Sequence, residues 1–169
     1  MRNKPSVTKV LEQLRLAEVR FVAGLPDGAA STVVKAAQQN ESFRVIQVHR
    51  EDEGISICCA LSYGQQRAVV VMGHSGFLGS VDSIVAVGTE LRRPLVMLVG
   101  QLNTDVDLKA AGSERAGDRV LKSLLVELDI PFLLVERSGE EATIASLIDH
   151  AYSTPRPLAI LFGEGVVLP

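Results

Sequence analysis

The run AVVVM at residues 68–72, followed at once by GHSG at 73–76, decides the fold class. A run of three valines without polar alternation is typical of a strand that is buried on both faces. Such strands belong to parallel sheets whose two faces are covered by helices. The glycines that follow predict a turn at the carboxyl end of the strand, where the backbone can approach a ligand closely.

Similar apolar runs recur on both sides of this strand, separated by segments of helical composition. Further strands are predicted at 19–24, 43–48, 94–100, 131–136 and 157–162. Helices are predicted at 7–18 (with Ser6 as its cap), 29–39, 51–63, 81–91, 116–128 and 140–151. Six strands alternating with helices predict an α/β fold. We expect a single doubly wound domain over residues 1–169, with a six-stranded, mainly parallel sheet flanked by helices.

The amino-acid composition argues against several classes of function. The formal charge of −3 over 169 residues, with no basic run interleaved with aromatics, argues against a nucleic-acid partner. No apolar stretch reaches transmembrane length, and the first twenty residues lack the core of a signal peptide, so no membrane association is expected. The adjacent Cys58 and Cys59 have neither disulfide nor metal spacing, which indicates reduced thiols in a cytoplasmic protein.

In doubly wound sheets, ligands bind beyond the carboxyl ends of the strands. The loops that should reach this edge are 24–28, 49–51, 73–80 and 100–116. The polar part of the last, 101–115, is long for a loop in a compact domain, which suggests a functional or partner-facing role.

The segment HREDEG at 49–54 places three acids in the first turn of a predicted helix. A purely structural interpretation is that they complement the helix dipole. Helical spacing distinguishes Glu51, which shares a face with small and apolar residues at offsets of three, four, seven and eight. A carboxyl on such a face has its charged form disfavoured, so it can share a proton near neutral pH. The residues of that face are Gly54, Ile55, Cys58 and Cys59.

Two other glycine-containing segments reach the same edge. GHSGFLGS at 73–80 matches neither of the usual phosphate-loop patterns, and an ordinary turn would explain it. GLPDG at 24–28 is likewise a common turn sequence. The chain also lacks the nucleophile-elbow motif of hydrolases and the HExxH motif of zinc peptidases.

Taken together, GLPD, HREDEGISICCA and VVVMGHSGFLGSVDSI resemble the pyrimidine-binding domain of thiamine-diphosphate enzymes. The similarity is greatest to the α subunit of sulfopyruvate decarboxylases and to the matching half of phosphonopyruvate decarboxylases. It covers about residues 5 to 163. It implies a 2-oxoacid decarboxylase, a carboxy-lyase, that uses thiamine diphosphate.

The resemblance also implies roles for individual residues. Glu51 takes the position of the catalytic glutamate, which hydrogen-bonds N1′ of the cofactor's aminopyrimidine and so activates the cofactor. A sulfonate or phosphonate on the substrate needs cationic donors, which Arg50 and His74 can supply. The implied cofactor contacts are Pro26, Asp27, Gly73, His74, Ser75 and Gly76, and the implied substrate contacts are Asp27, Arg50 and His74.

The chain lacks the family's GDG motif, which binds the diphosphate and the divalent metal; Gly117-Asp118-Arg119 is the nearest sequence. The resemblance therefore implies a partner β subunit that carries the diphosphate site and Mg²⁺, with no metal site on this chain. It also implies an active site at the subunit interface and self-association into a larger α/β oligomer.

Two segments depart from the family pattern. GHSGFLGS stands where related decarboxylases often have QNSGLGN, and residues 100–103 replace a His-Arg-Gly segment. The altered GHSGFLGS segment leaves a second hypothesis open, in which the chain is a non-catalytic regulatory or binding module with the same fold. A flavodoxin-like nucleotide or flavin binder is a third, disfavoured by the absence of a phosphate loop.

Overall fold

The computed structural model describes residues 4–26, 31–100 and 116–163. Strands and helices alternate along these ranges. The strands are β1 (Phe21–Gly24), β2 (Arg44–Gln47), β3 (Ala68–Gly73), β4 (Leu95–Gly100), β5 (Phe132–Val135) and β6 (Pro157–Phe162). The helices are α1 (Val7–Leu16), α2 (Ser31–Gln38), α3 (Glu51–Tyr63), α4 (His74–Gly79), α5 (Val81–Ile84), α6 (Ala116–Glu127) and α7 (Ile144–Ser153). A π-helical segment (Val85–Glu90) continues α5, and a 3₁₀ turn (Glu140–Thr143) leads into α7.

The strands of the described ranges form one six-stranded sheet in the order β2-β1-β3-β4-β6-β5. Every neighbouring pair is parallel, so the predicted α/β class and parallel sheet are confirmed. Because β1 pairs with β2 on one side and β3 on the other, the strand order reverses beside β1. A reversal of this kind opens a crevice at the carboxyl edge, where doubly wound proteins bind ligands.

The core lies in two layers, one on each face of the sheet, because successive strand side chains point to opposite faces. Val69 and Val71 of β3 face the layer of α1, α2 and α7. Val70 and Met72 face the layer of α3 to α6. Aliphatic side chains make up most of both layers, as the low aromatic content of 4% requires. No helix within residues 4–26, 31–100 and 116–163 is long and apolar enough to cross a membrane.

The two layers place α3 unusually close to β3. A Cβ built on Gly54 would lie 2.8 Å from Cγ2 of Val70. Any larger residue at 54 would therefore have to push the helix away from the sheet. Glycine at this position lets the first turn of α3, which carries Glu51, pack closely against β3.

The prediction of a loop at 73–80 was wrong, because residues 74–79 form α4. Two glycines and a serine in this segment weaken helix propensity, so the sequence favoured a loop. Tertiary packing overrides that preference, since Phe77 is fully buried against the sheet layer. The predicted helix at 81–91 is also irregular: it begins as α5 and continues as π-helix.

The amino terminus of α1 differs from expectation in one detail. Ser6 occupies the N-cap position, but its side chain makes no capping hydrogen bond. The predicted long segment at 101–115 lies outside the described residues.

Candidate active site

The amino ends of α3 and α4 meet at the carboxyl edge of the sheet, where α3 packs against α4. Between them is a cavity of about 240 Å³. Its lining combines a guanidinium, two carboxylates, two hydroxyls and two glycines. These residues are Arg50, Glu51, Asp52, Ser75, Gly76, Gly79 and Ser80.

A larger cavity of about 480 Å³ lies at the opposite, amino edge of the sheet, beside Arg20 and Arg67. Helix carboxyl ends, not amino ends, converge on that edge. Arg67, which lines this cavity, donates to the carbonyl oxygen of Ala17 at the end of α1, at 2.8 Å. Its guanidinium therefore caps a helix, and the smaller cavity at the carboxyl edge is the stronger candidate for chemistry.

Glu51 is the first residue of α3 and is partly buried. Its side chain lies directly over Gly76 of α4: a Cβ built on Gly76 would be 2.2 Å from Oε1 of Glu51 and 2.5 Å from its Cγ. The face of α3 that carries Glu51 is buried as the helical spacing predicts. Its buried residues are Gly54, Ile55, Cys58 and Cys59. Glu51 therefore points toward α4 rather than into solvent.

The three acids of α3 have different surroundings. Asp52 accepts hydrogen bonds from the Arg50 side chain. Glu53 accepts one from the backbone N–H of His49, at 2.9 Å, and so satisfies a donor at the start of the helix. No hydrogen bond joins the Glu51 carboxylate to another residue in the described part of the chain. The structural role of the acidic turn thus falls to Asp52 and Glu53, which leaves Glu51 available for a ligand.

Arg50 is the N-cap residue of α3, with an extended backbone. Its Nε donates to Oδ1 of Asp52 at 3.1 Å, and its Nη2 donates to Oδ2 at 3.0 Å. These hydrogen bonds from Arg50 lower the pKa of Asp52 and raise that of Arg50. Both side chains are therefore charged near neutral pH.

The segment after β3 contributes the other wall of the cavity. Gly73 ends β3 in an extended conformation, and His74 begins α4. Ser75 and Gly76 line the cavity. Nδ1 of His74 is buried and has no hydrogen-bond partner among the described residues. A buried ring nitrogen without a partner is costly unless another group, such as a ligand, satisfies it.

The structure brings together four of the predicted site residues, Arg50, Glu51, Ser75 and Gly76, in the lining of one cavity. Pro26 follows β1, Gly73 ends β3 and His74 begins α4 at the same edge, but these three residues are not in the lining of this cavity. Asp27 lies outside the described residues.

The cavity is also lined by Asp52, Gly79 and Ser80, which were not among the predicted site residues. Gly79 follows Gly76 by three residues and Ser80 follows it by four. That spacing would have identified both residues if 73–80 had been predicted as a helix. Across residues 4–26, 31–100 and 116–163, no three His, Cys, Asp or Glu side chains are grouped so as to hold a metal ion.

Residues 7–116 match the family described as thiamine pyrophosphate enzyme, N-terminal TPP binding domain. The chain belongs to this family. Its sequence is 25% identical over 144 residues to sulfopyruvate decarboxylase subunit alpha from Methanococcus maripaludis, an alignment that covers 85% of each chain.

The fold is similar to that of a solved 2-oxoglutarate:ferredoxin oxidoreductase from Magnetococcus marinus, with a TM-score of 0.65 and 14% identity. That alignment covers 92% of this chain and 28% of the oxidoreductase chain. At this identity the likeness concerns the fold alone, and the chain spans a little over a quarter of the larger enzyme.

Proposed function

We propose that the chain is the α subunit of a thiamine-diphosphate-dependent 2-oxoacid decarboxylase of the sulfopyruvate or phosphonopyruvate type. In this proposal Glu51 is the carboxyl group that activates the cofactor's aminopyrimidine. The observation that carries it is the position of Glu51, which lies over Gly76 at the carboxyl edge without a hydrogen-bond partner among the described residues. Membership of the thiamine pyrophosphate family supports the choice of cofactor.

The residues present fit an aminopyrimidine. Gly76 and Gly79 carry no side chain, so the wall that α4 presents to Glu51 is backbone, and a Cβ on Gly79 would meet open space. The Glu51 carboxyl can accept or donate a hydrogen bond at a ring nitrogen. The Nδ1 of His74, which has no partner among the described residues, and the backbone at Gly73 offer further polar groups at the same edge.

In this proposal the chain binds and orients the cofactor and the substrate, and it holds a proton at the cofactor. Glu51 would hold a proton at N1′ of the pyrimidine, which would favour the imino tautomer, whose 4′ nitrogen can act as a base. Arg50 offers charged hydrogen bonds to an anionic substrate. When bound, thiamine diphosphate supplies the electron sink that accepts the electron pair released with CO₂.

The second half of the site belongs, in this proposal, to a β subunit. The chain has no GDG motif, so the diphosphate and Mg²⁺ contacts are assigned to the partner. The similar Methanococcus protein is named as a subunit alpha, which supports an enzyme of more than one kind of chain. The exposed side of the cavity, beside Arg50 and Ser75, is where the partner would close the site, with further self-association into a larger α/β oligomer.

Reconstitution tests the proposal. The chain is mixed with a GDG-containing partner, thiamine diphosphate and Mg²⁺, and CO₂ release from sulfopyruvate and phosphonopyruvate is measured. Glu51→Gln should lower kcat by at least about 100-fold, the usual size of general acid–base catalysis. Glu53→Gln makes the same chemical change two residues along, at a helix-capping acid, and should retain turnover. Wild-type turnover in the Glu51→Gln variant would refute the assigned role.

The altered segment GHSGFLGS favours one alternative, a regulatory or binding module that retains the fold. In that case the reconstituted complex would bind its partner without cofactor-dependent turnover of any 2-oxoacid. Decarboxylation that requires both this chain and thiamine diphosphate would exclude it.

A further inference from the structure

The Arg50 guanidinium uses only one of its edges within the described part of the chain. The edge formed by Nε and Nη2 is occupied by the two carboxylate oxygens of Asp52. A guanidinium has five N–H donors in a fixed plane, and two are used here. The adjacent edge, formed by one hydrogen of Nη1 and the second hydrogen of Nη2, makes no hydrogen bond to a described residue. That edge has the geometry for a second bidentate oxyanion.

Asp52 is itself held in place by the helix. Its Oδ1 also accepts a hydrogen bond from the backbone N–H of Glu53, at 3.0 Å, and its backbone belongs to the first turn of α3. Asp52 is less exposed than its partner, with 31% of the side chain accessible against 71% for Arg50. The carboxylate is therefore the anchored member of the pair, and the guanidinium takes its orientation from it.

The net charge of the residues around the cavity does not attract an anion. Arg50, Glu51 and Asp52 together carry one net negative charge if all three are ionised. Recognition of an acidic group here must come from directed hydrogen bonds rather than from long-range attraction. A pre-oriented guanidinium supplies such bonds because its planar fork matches the oxygens of a sulfonate, phosphonate or carboxylate.

We propose that Asp52 is a positioning residue: it holds Arg50 by the Nε/Nη2 edge so that the Nη1/Nη2 edge receives the substrate's second acidic group, a sulfonate or phosphonate. This inference rests on the proposed decarboxylase function. It assigns to Asp52 the selection of 2-oxoacids with a second acidic group over those that lack one. Glu51 keeps its separate role toward the cofactor.

Asp52→Asn in the reconstituted complex tests the inference. KM for sulfopyruvate should rise about tenfold with kcat nearly unchanged, because an amide forms a weaker, misdirected pair with the guanidinium. Competitive inhibitors test the sulfonate part and the 2-oxoacid part of the substrate separately. Ki for ethanesulfonate should rise by a similar factor, whereas Ki for pyruvate, which has no second acidic group, should stay within about twofold.

Glu53→Gln removes the same charge one residue away and should leave both Ki values unchanged. Arg50→Lys should reproduce the Asp52→Asn effect, and the double variant should be no worse than either single variant, since both remove one oriented donor pair. Equal changes in Ki for ethanesulfonate and pyruvate would overturn the inference, as would tighter ethanesulfonate binding to Asp52→Asn. Loss of all turnover in the wild-type complex would instead refute the decarboxylase function, and the positioning role with it.

Discussion

The side chain of Glu51 rests on the backbone of Gly76, and the two residues leave no room for a methyl group between them. A Cβ on Gly76 would lie 2.2 Å from Oε1 and 2.3 Å from Cδ of Glu51. Real Cβ atoms do not approach other atoms this closely, so the presence of glycine at 76 determines where the carboxylate can lie. The relationship links the two segments, after β2 and after β3, from which the candidate site is built.

Gly76→Ala should therefore displace the Glu51 carboxylate. A carboxylate is the end of a flexible side chain and can move, so the free energy of unfolding should change by less than about 1 kcal/mol, with alanine's better helix propensity offsetting the contact. Decarboxylase activity of the reconstituted complex should fall by more than tenfold, because a misplaced acid loses much of its catalytic contribution.

Gly79→Ala is the matched control for stability, since its Cβ would meet no atom within 4 Å in the same short helix. It should be as stable as the wild type or slightly more so in urea denaturation. Full activity in Gly76→Ala would mean that the Glu51 position seen here is not the one used in the reaction.

Gly54→Ala should destabilise the fold although alanine favours helices. The new methyl group would lie 2.8 Å from Cγ2 of Val70 in the core, and overpacking of this kind costs about 1–3 kcal/mol. The loss should be seen as a lower midpoint in urea without a change in slope. Combining it with Val70→Ala, which removes the opposing methyl groups, should give a smaller loss than the sum of the two single variants.

Gln65→Gly should stabilise the protein. Gln65 follows α3 with φ of 57°, a left-handed conformation that costs an L-residue about 1–2 kcal/mol. The greater freedom of glycine in the unfolded chain offsets part of the gain, so we expect a net increase of about 0.5–1 kcal/mol in the free energy of unfolding. Gln66→Gly, at a neighbour without positive φ, should be destabilising. A lower free energy of unfolding in Gln65→Gly would show that the left-handed backbone of Gln65 is not strained.

Cys58 should be inert toward thiol reagents in the folded protein. Burial raises the pKa of its thiol to about 12 from an ordinary value of 9.0, so almost no thiolate forms at pH 8. In a Cys59→Ala background, labelling of Cys58 by a disulfide reagent should follow the rate of unfolding and accelerate in urea.

The same shift makes stability depend on pH in the alkaline range. Because the folded-state pKa of Cys58 lies above the unfolded value, its contribution is present below pH 9 and is lost as the pH rises toward 12. Cys58→Ala should therefore show a shallower loss of stability than the wild type above pH 9. Rapid labelling of native Cys58 at pH 8 would contradict its burial.

Much of the fold could be predicted from the sequence alone. The boundaries of α3 and β6 agree with the structure to the residue, at Glu51–Tyr63 and Pro157–Phe162. Length and flanking residues set both elements, because α3 begins at an acidic turn and ends before Gly64, and β6 is a short apolar run that begins at Pro157. The inward direction of Glu51 also followed from local helical spacing.

Other features depend on tertiary contacts that no local pattern carries. Residues 74–79 are helical because Phe77 is buried against the layer of α3 to α6, in spite of glycines that favour a loop. The reversal of strand order beside β1 depends on which strands pair with each other. Pairing joins segments that are distant in sequence, so local patterns do not predict it.

The sequence by itself determined the apolar strands and the acid that turns inward, because each depends on residues that are close together in the chain. The alternation of those strands with helices then determined the class of the fold. Only the tertiary structure decided that this acid meets Gly76, twenty-five residues further along the chain, and that Arg50 keeps one edge for Asp52 and one for another group. The physical reason is that contacts between separate segments, and the direction of a side chain's hydrogen bonds, are settled by packing and not by local periodicity.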